Sequence, residues 1–265
     1  MPAKGYDAFS IDYDHFVNWE ERFNTEMPFL LSTLETVKTD SNQPVRVLDA
    51  ACGTGMHAIR LAQEGYDTAG TDISPEMIKR AQANARTAQA SAVFKTAGFG
   101  EISDKLFKSP LLPFDAVLCL GNSLPHLLTR GAVRTALLDM GTCLRPGGVL
   151  ILQNRNFDLV MAEKQRWLGT QSHTDGEKDW LFFRFYDFDP DGLITFYIIR
   201  LFRHNNERWQ ENISSIRLSP IKKNVLVELL QESGFTDIGT YGAMADQPFD
   251  PHASGNLVIT ARKVT

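Results

Sequence analysis

The hydrophobic pattern between residues 45 and 153 alternates short apolar runs with longer amphipathic stretches. The apolar runs predict strands at 45–49, 67–72, 92–97, 114–120 and 148–153. The amphipathic stretches predict helices at 56–64, 75–88 and 130–144. This alternation is typical of a parallel sheet with right-handed crossovers, in which ligands bind at the carboxyl ends of the strands.

A different pattern follows Asn154, where aromatic and β-branched runs are separated by turn-forming residues. These runs predict antiparallel hairpin strands at 180–188, 193–202 and 208–218. We expect this insert to cover the carboxyl edge of the sheet as a lid. The pattern of the sheet and its helices then resumes, with a predicted helix at 222–233 and predicted strands at 235–241 and 255–263. The fold class is therefore α/β, a doubly wound, mostly parallel, seven-stranded Rossmann-like sheet with an antiparallel β lid.

The N-terminal region has a helical stripe of aromatic residues that ends before a polar break at Thr39–Pro44. Its members are Phe9, Tyr13, Phe16, Trp19 and Phe23. We predict three parts. These are an N-terminal helical cap (1–44), a Rossmann-like domain (45–155 and 219–265) and the lid insert (156–218).

Composition limits the classes of partner that the chain can have. A net charge of −5 and the lack of a Lys or Arg block disfavour nucleic acid, which proteins bind by neutralising phosphates. The three cysteines have no metal-binding spacing and indicate a reducing compartment. The sequence shows no apolar leader and no stretch long enough for a membrane span. We expect a soluble, cytoplasmic protein without a metal site, and homo-oligomerisation stays open.

The stretch from Val45 to Gly55 has the strongest local signal. Its apolar residues suit a strand buried on both faces, and Gly53 and Gly55 allow the following loop to approach a ligand closely. Gly53-x-Gly55-x-x-Ala58 matches a dinucleotide-binding pattern, and the second predicted strand ends at Asp72, 17 residues after Gly55. A tight turn without a ligand is the alternative interpretation.

Asp49 changes the expected ligand, because its carboxylate would repel a pyrophosphate but attract a cation. S-adenosylmethionine has an ammonium, a sulfonium and a ribose but no phosphate. We therefore expect Asp49 to serve the methionine end of this cofactor and Asp72 to serve the ribose hydroxyls. The segment from Leu48 to Gly55 resembles the cofactor loop of class I S-adenosylmethionine-dependent methyltransferases.

The fourth strand leads into a polar loop, from which Asn122, Ser123 and His126 would face the reacting methyl group. Local capping by Asn and Ser, and an ordinary loop histidine, are the alternatives. The segment Cys119-Leu-Gly-Asn-Ser-x-x-His-Leu127 resembles the matching loop of glycine N-methyltransferases and their glycine/sarcosine relatives. In that family an Arg-Asn-aromatic-Asp segment lines the amino-acid site. The resemblance makes Asn156 a substrate contact and leaves Arg155 with a structural role.

The same resemblance implies further cofactor contacts. Tyr13, Trp19 and Arg22 match family residues that close over the cofactor, and Gly98 and Phe99 match the segment beside its adenine. We also assign to the cofactor site four residues that flank these motifs: Ala51, Ile73, Met77 and Leu120. In the family, the segment that resembles Arg217-Leu-Ser219 continues with tyrosines that reach the substrate, whereas Pro220-Ile221 follows here.

We expect a methyltransferase that acts on a small molecule, with catalytic Asn122, His126 and Asn156. Transfer from a sulfonium needs mainly alignment, so the lack of a nucleophile or metal motif is consistent with it. N-methylation of an amino acid or small amine is the favoured reaction. O-methylation of a small metabolite, a nucleotide-linked oxidoreductase and a non-enzymatic cofactor sensor are the alternatives.

Overall fold

A computed structural model describes residues 17–38, 43–106, 109, 111–205 and 207–264. Its strands are β1 (Arg46–Ala50), β2 (Asp67–Asp72), β3 (Ala92–Thr96), β4 (Phe114–Cys119), β5 (Leu144–Arg155), β6 (Trp167–Asp175), β7 (Lys178–Phe188), β8 (Ile194–His204), β9 (Gln210–Leu218), β10 (Phe235–Ala243), β11 (Ala245–Pro248) and β12 (Asn256–Lys263). Its α-helices are α1 (Trp19–Glu35), α2 (Met56–Gln63), α3 (Pro75–Thr87), α4 (Ile102–Leu106), α5 (Arg130–Cys143), α6 (Phe157–Glu163) and α7 (Lys223–Glu232).

The central sheet has eight strands in the order β11-β10-β12-β5-β4-β1-β2-β3. Strands β1 to β5 are parallel, whereas β12 pairs antiparallel with β5 and β10 pairs antiparallel with β12. This order confirms the expected seven-stranded, mostly parallel sheet, to which the short β11 adds an edge. The order reverses at β1, between β2 and β4, and this reversal opens a crevice at the carboxyl ends of the strands.

Helix α1 packs on one face of this sheet. Its residues Leu30 and Leu34 are fully buried and join a cluster that includes Val47, Leu118 and Ile151 from the central strands. The same packing brings the first turns of α1 to the carboxyl edge of β1 and β5. The part of the aromatic stripe before residue 17 lies outside the described residues.

The lid is a separate antiparallel sheet in the order β6-β7-β8-β9. It has one strand more than the hydrophobic pattern predicted. Strand β6 escaped the prediction because its sequence, WLGTQSHTD, is largely polar and exposed. A buried cluster of Phe157, Val160, Tyr186, Ile194 and Leu218 packs α6 against this sheet.

Two short helices, α4 and α6, were also missed, because a helix of five or seven residues contains too few turns to show a periodic stripe. No helix in the described ranges is both long enough and apolar enough to cross a membrane. The division into cap, Rossmann-like domain and lid stays a prediction.

Candidate active site

A cavity of about 480 Å³ lies between the carboxyl edge of the sheet and the inner face of the lid. The loops after β1, β2, β3 and β4 form one end of it, and the end of β5 forms the floor. Residues from β7, β8 and β9 form the opposite wall. The parallel topology therefore brings the separate sequence motifs to one place, as expected for strand ends at a switch point.

The loop after β1 is tied to the end of β2 by Asp72. Its Oδ2 accepts a hydrogen bond from the backbone N–H of Gly53 at 2.9 Å, and its Oδ1 accepts one from the N–H of Ser74 at 2.9 Å. Ala51, Gly53 and Asp72 all line the cavity. Ala51 and Gly53 both have positive φ angles, 65° and 54°, which turn the backbone sharply at the cavity wall.

Gly55 does not line the cavity, although the glycine pattern placed it in the cofactor site. Its φ is +80°, and a Cβ at this position would lie 2.7 Å from the Phe94 ring and 2.8 Å from the Cβ of Ala81. The glycine is thus required by the left-handed backbone and by the packing of α3 and β3 against the loop. A direct contact between Gly55 and a ligand stays a prediction.

Asp49 lies beneath the loop and is only 2% exposed, so it does not form part of the cavity wall. Within the described part of the chain its Oδ2 has no hydrogen-bond partner. Burial raises the pKa of Asp49 to about 8, against the opposing charge of Arg22. A cation held above the loop would favour the ionised form of this carboxyl group.

Arg22 reaches the cavity from α1 and is held there by a buried network. Its Nε lies 3.0 Å from Glu26 Oε2, and its Nη2 donates to Gln153 Oε1 at 3.3 Å. Glu26 also contacts His57 Nε2 at 2.7 Å and accepts from Gln153 Nε2 at 2.9 Å. Burial opposes ionisation of Glu26, but His57, Arg22 and Gln153 outweigh it and lower its pKa to about 2.

Two further residues that the sequence assigned to the cofactor site, Trp19 and Leu120, do not line the cavity. Trp19 packs edge-on against His57 and lies under the Arg22 guanidinium, 5.3 Å from ring to charge, without lining the cavity. Leu120 is 5% exposed and belongs to the core beneath α1. Tyr13 lies outside the described residues.

The predicted adenine-contacting residues form one apolar part of the cavity. Ile73, Met77, Gly98 and Phe99 all line it. A Cβ at Gly98 would lie 3.2 Å from Ile73 Cδ1, so the absence of a side chain there keeps the space between the two loops open. A flat group can enter between these apolar surfaces from the side of Asp72.

Asn122 and His126 line the cavity beside the end of β5. The φ of Asn122 is +67°, and its Oδ1 accepts a hydrogen bond from the backbone N–H of Arg155 at 2.9 Å, which fixes the orientation of the amide group. Ser123 also lines the cavity, but its hydroxyl donates to the carbonyl of Leu120 at 2.9 Å. Burial lowers the pKa of His126 to about 4, so its ring is neutral at neutral pH.

The structure places Arg155 on the cavity wall and Asn156 off it, whereas the resemblance assigned the substrate contact to Asn156. Asn156 is 1% exposed and lies off the cavity wall, with Oδ1 capping α6 through the N–H of Leu159 at 3.2 Å. Its Nδ2 donates to the carbonyl oxygens of Pro251 at 3.2 Å and Ser254 at 2.9 Å. Its amide group is thus engaged in the fold, whereas Arg155 lines the cavity.

Several residues on the cavity wall had no signal in the sequence. Glu26 and Gln153 belong to the network that holds Arg22, Asn154 lies on the floor, and Arg184 and Tyr186 extend from the lid. Each stands in an ordinary amphipathic or aromatic segment without a recognisable motif. Their shared location follows from tertiary packing alone.

The cavity residues suit S-adenosylmethionine. Arg22 offers a cation for a carboxylate, Asp72 offers acceptor oxygens for hydroxyl groups, and Ile73 and Phe99 offer apolar surfaces for a base. Gly53 allows the backbone to approach the ligand between these groups. No part of this arrangement requires a ligand with a phosphate group.

Comparison with known proteins agrees with this arrangement. Residues 47–148 match a family model described as a methyltransferase domain. The chain is 31% identical over 240 residues to a glycine/sarcosine N-methyltransferase of Aphanothece halophytica, covering 89% of this chain and 81% of the relative. It is 29% identical over 243 residues to a glycine/sarcosine N-methyltransferase of Halorhodospira halochloris, covering 89% and 80%.

Solved structures share the whole fold at low sequence identity. A methyltransferase from Clostridium acetobutylicum that depends on S-adenosylmethionine superposes with a TM-score of 0.76 at 16% identity, over 98% of this chain and 99% of that one. An amino pentose methyltransferase from Micromonospora echinaspora, solved with S-adenosylmethionine bound, gives a TM-score of 0.64 at 17% identity, over 88% and 89%.

Proposed function

This chain belongs to the S-adenosylmethionine-dependent methyltransferases, in the family of the glycine/sarcosine N-methyltransferases, and we propose that its methyl acceptor is a small amine with a carboxylate. The membership excludes the nucleotide-linked oxidoreductase that the glycine pattern had left open. The proposal extends to this chain the kind of substrate that its relatives are named for.

The observation that carries the proposal is the position of Arg155 at the end of β5. Arg155 lines the cavity, and among the described residues no carboxylate forms an ion pair with it. Arg155 adjoins Asn122, whose Oδ1 binds its backbone N–H at 2.9 Å. A carboxylate held by Arg155 would therefore bring an amine on the neighbouring carbon towards the Asn122 loop.

The reaction requires little of the protein beyond the alignment of the acceptor with the methyl group of the cofactor. S-adenosylmethionine supplies an activated methyl group on a sulfonium, and the acceptor nitrogen must approach in line while neutral. Asn122 can orient the amine, and Arg22 and Asp72 can hold the two ends of the cofactor. The lid excludes bulk water from the cavity and limits the size of the acceptor.

The test is turnover to S-adenosylhomocysteine across a panel of amines with and without a carboxylate, matched in size. We expect turnover only with carboxylate-bearing amines, and Asp72→Asn should weaken cofactor binding without changing this preference. Preference for hydroxylated acceptors or for amines without an acidic group would contradict the proposal. A cytoplasmic location and the exclusion of nucleic acid stay predictions from composition.

A further inference from the structure

We propose that Asn256, the first residue of β12, is a second residue that binds the carboxylate of the methyl acceptor, by donating a hydrogen bond from its Nδ2 group beside Arg155. This inference rests on the proposed function and adds to it a residue that determines specificity. Asn256 precedes an ordinary apolar strand, and no motif in the sequence marks it.

The pairing of β12 with β5 sets Asn256 directly opposite Arg155. Directly opposed residues of an antiparallel pair have their side chains on the same face of the sheet. The neighbouring pair is joined by a hydrogen bond of 3.3 Å from the N–H of Asn156 to the carbonyl of Gly255. Because bonded and non-bonded pairs alternate, Arg155 and Asn256 form a non-hydrogen-bonded pair, in which Cα atoms lie only about 4.5 Å apart. The two side chains therefore begin next to each other.

The residues that follow Asn256 show which face of the sheet it shares with Arg155. Leu257 is 1% exposed and packs in the cluster that contains residues of α5 and α7. Val258 packs in the cluster that contains residues of α1, and it pairs with Gln153. Since side chains alternate along a strand, Asn256 lies on the α1 face, as Gln153 and Arg155 do. Both Asn256 and Arg155 line the cavity there.

The order of the strands separates Asn256 from the loops that we assign to the cofactor. Strands β5 and β4 lie between β12 and β1. Three strand spacings of about 4.8 Å place β12 roughly 14 Å from β1. The loop with Gly53 follows β1, and Asp72 ends β2, one strand further away. Asn256 therefore lies beside the position that we propose for the acceptor carboxylate and away from the cofactor loops.

The amide group of Asn256 is available to a ligand. Its side chain makes no hydrogen bond to any residue within the described ranges, and the residue is partly exposed at the cavity. Asn122 and Gln153, by contrast, use their amide oxygens to hold the fold together. A ligand can therefore bind to Asn256 without displacing an internal hydrogen bond.

An acceptor carboxylate needs more donors than Arg155 alone supplies. Its two oxygens offer about four lone-pair sites, and a guanidinium group fills two of them when it binds with both arms. A carboxylate that enters the cavity with unfilled sites loses the hydrogen bonds it had in water. The Nδ2 group of Asn256 fills a further site without adding a charge. Asn256 thereby favours acceptors with a carboxylate over those without one.

The experiment uses Asn256→Leu, which removes the amide at similar size, and Asn256→Asp, which places a negative charge at the same position. Two constants are measured: the KM of the best carboxylate-bearing amine, and the inhibition constant of the same acid without its amine, which is acetate where the acceptor is glycine. A lost hydrogen bond to a charged group should raise both constants roughly tenfold in Asn256→Leu. Asn256→Asp should raise them further, with kcat and the affinity for S-adenosylmethionine unchanged in both variants.

The matched control is Asn212→Leu, because Asn212 is exposed on β9 and does not line the cavity. Asn256→Ser keeps a short donor and should raise both constants less than Asn256→Leu does. Thermal denaturation of each variant separates a loss of folding from a loss of acceptor binding, since a purely structural role would lower the thermal midpoint and leave both constants unchanged.

Three results would overturn the inference, and only one of them also affects the proposed function. If Asn256→Asp keeps or lowers the KM of the acceptor, Asn256 faces the amine and not the carboxylate. If Asn256→Leu changes the two constants no more than Asn212→Leu, Asn256 does not bind the acceptor. In both cases the proposed function stands. If no amine with a carboxylate yields S-adenosylhomocysteine with the wild-type protein, the proposed function fails and this inference fails with it.

Discussion

Glu26 holds Arg22 in place from one turn further along α1, with Arg22 Nε 3.0 Å from Glu26 Oε2. The pair is buried at the carboxyl edge of β5, where Gln153 bonds to both side chains. These contacts hold the Arg22 side chain in one position at the end of the cavity that we assign to the cofactor.

Glu26→Gln tests this relationship. The change removes the charge that Arg22 and His57 share, and breaking one side of a buried pair is destabilising by roughly 3–5 kcal/mol. We expect a lower free energy of unfolding and at least tenfold weaker binding of S-adenosylmethionine by calorimetry. Glu35→Gln, at the exposed end of the same helix, is the control. Equal affinity in Glu26→Gln and wild type would show that Arg22 needs no such support.

Asp72→Asn tests the ribose assignment. The amide keeps the size of the side chain but loses the charge that strengthens hydrogen bonds to hydroxyl groups, so cofactor binding should weaken by roughly 1.5–3 kcal/mol. Because Asp72 also accepts from Gly53 and Ser74, unfolding should be followed in parallel. Asp67→Asn, exposed at the other end of β2, is the control. A variant that folds normally and binds the cofactor as wild type does would refute the assignment.

Gly55→Ala should destabilise the whole protein and not only its cofactor complex. A left-handed φ costs an alanine roughly 1–2 kcal/mol, and its Cβ would meet the Phe94 ring at 2.7 Å. The expected result is a clearly lower thermal midpoint without any ligand present. Gly131→Ala, in the first turn of α5 with open space around it, is the matched control. A normal midpoint for Gly55→Ala would place the role of this glycine in ligand contact.

Asp49→Asn should change how stability depends on pH. The pKa of Asp49 is raised, chiefly by burial, from 3.8 to about 8. Between these values the unfolded chain has released a proton that the folded chain retains, so this group makes the folded state less stable as pH rises. The variant lacks this effect, and its advantage over wild type should grow by roughly 1–3 kcal/mol from pH 5 to pH 7.5. Denaturant unfolding at both pH values measures it, and parallel pH profiles would contradict it.

Arg155 and Asn156 should differ in the kind of defect that each causes. Arg155→Gln should raise the acceptor KM at least tenfold and leave cofactor affinity unchanged, because Arg155 lines the cavity where we propose that the acceptor carboxylate binds. Asn156→Ala should cost more stability than the roughly 1 kcal/mol of the α6 cap, because its bonds to Pro251 and Ser254 are lost as well, and should leave the acceptor KM unchanged. The opposite pattern in steady-state kinetics would restore the roles that the sequence resemblance had suggested.

The sequence by itself predicted most of the elements in their order, and it singled out several of the loop residues that line one end of the cavity. Hydrophobic periodicity is local, so the strands from β1 to β5 and the helices α2, α3 and α5 between them could be predicted directly, whereas the five-residue α4 was missed. Loop residues such as Gly53, Asp72 and Phe99 stand next to strand ends, and the parallel topology brings all strand ends to one edge. Their common position therefore followed from the alternation of strands and helices.

Only the tertiary structure decided which residues line the cavity at the end of β5 and on the lid. Whether Arg155 or its neighbour Asn156 faces the cavity depends on the pairing of β5 with β12 and on the bonds from Asn156 Nδ2 to Pro251 and Ser254, both of which require distant segments. Arg184 and Glu26 reach the cavity only because the lid and α1 pack over the sheet. No local pattern encodes the direction of such side chains, because that direction is determined by contacts between segments far apart in the chain.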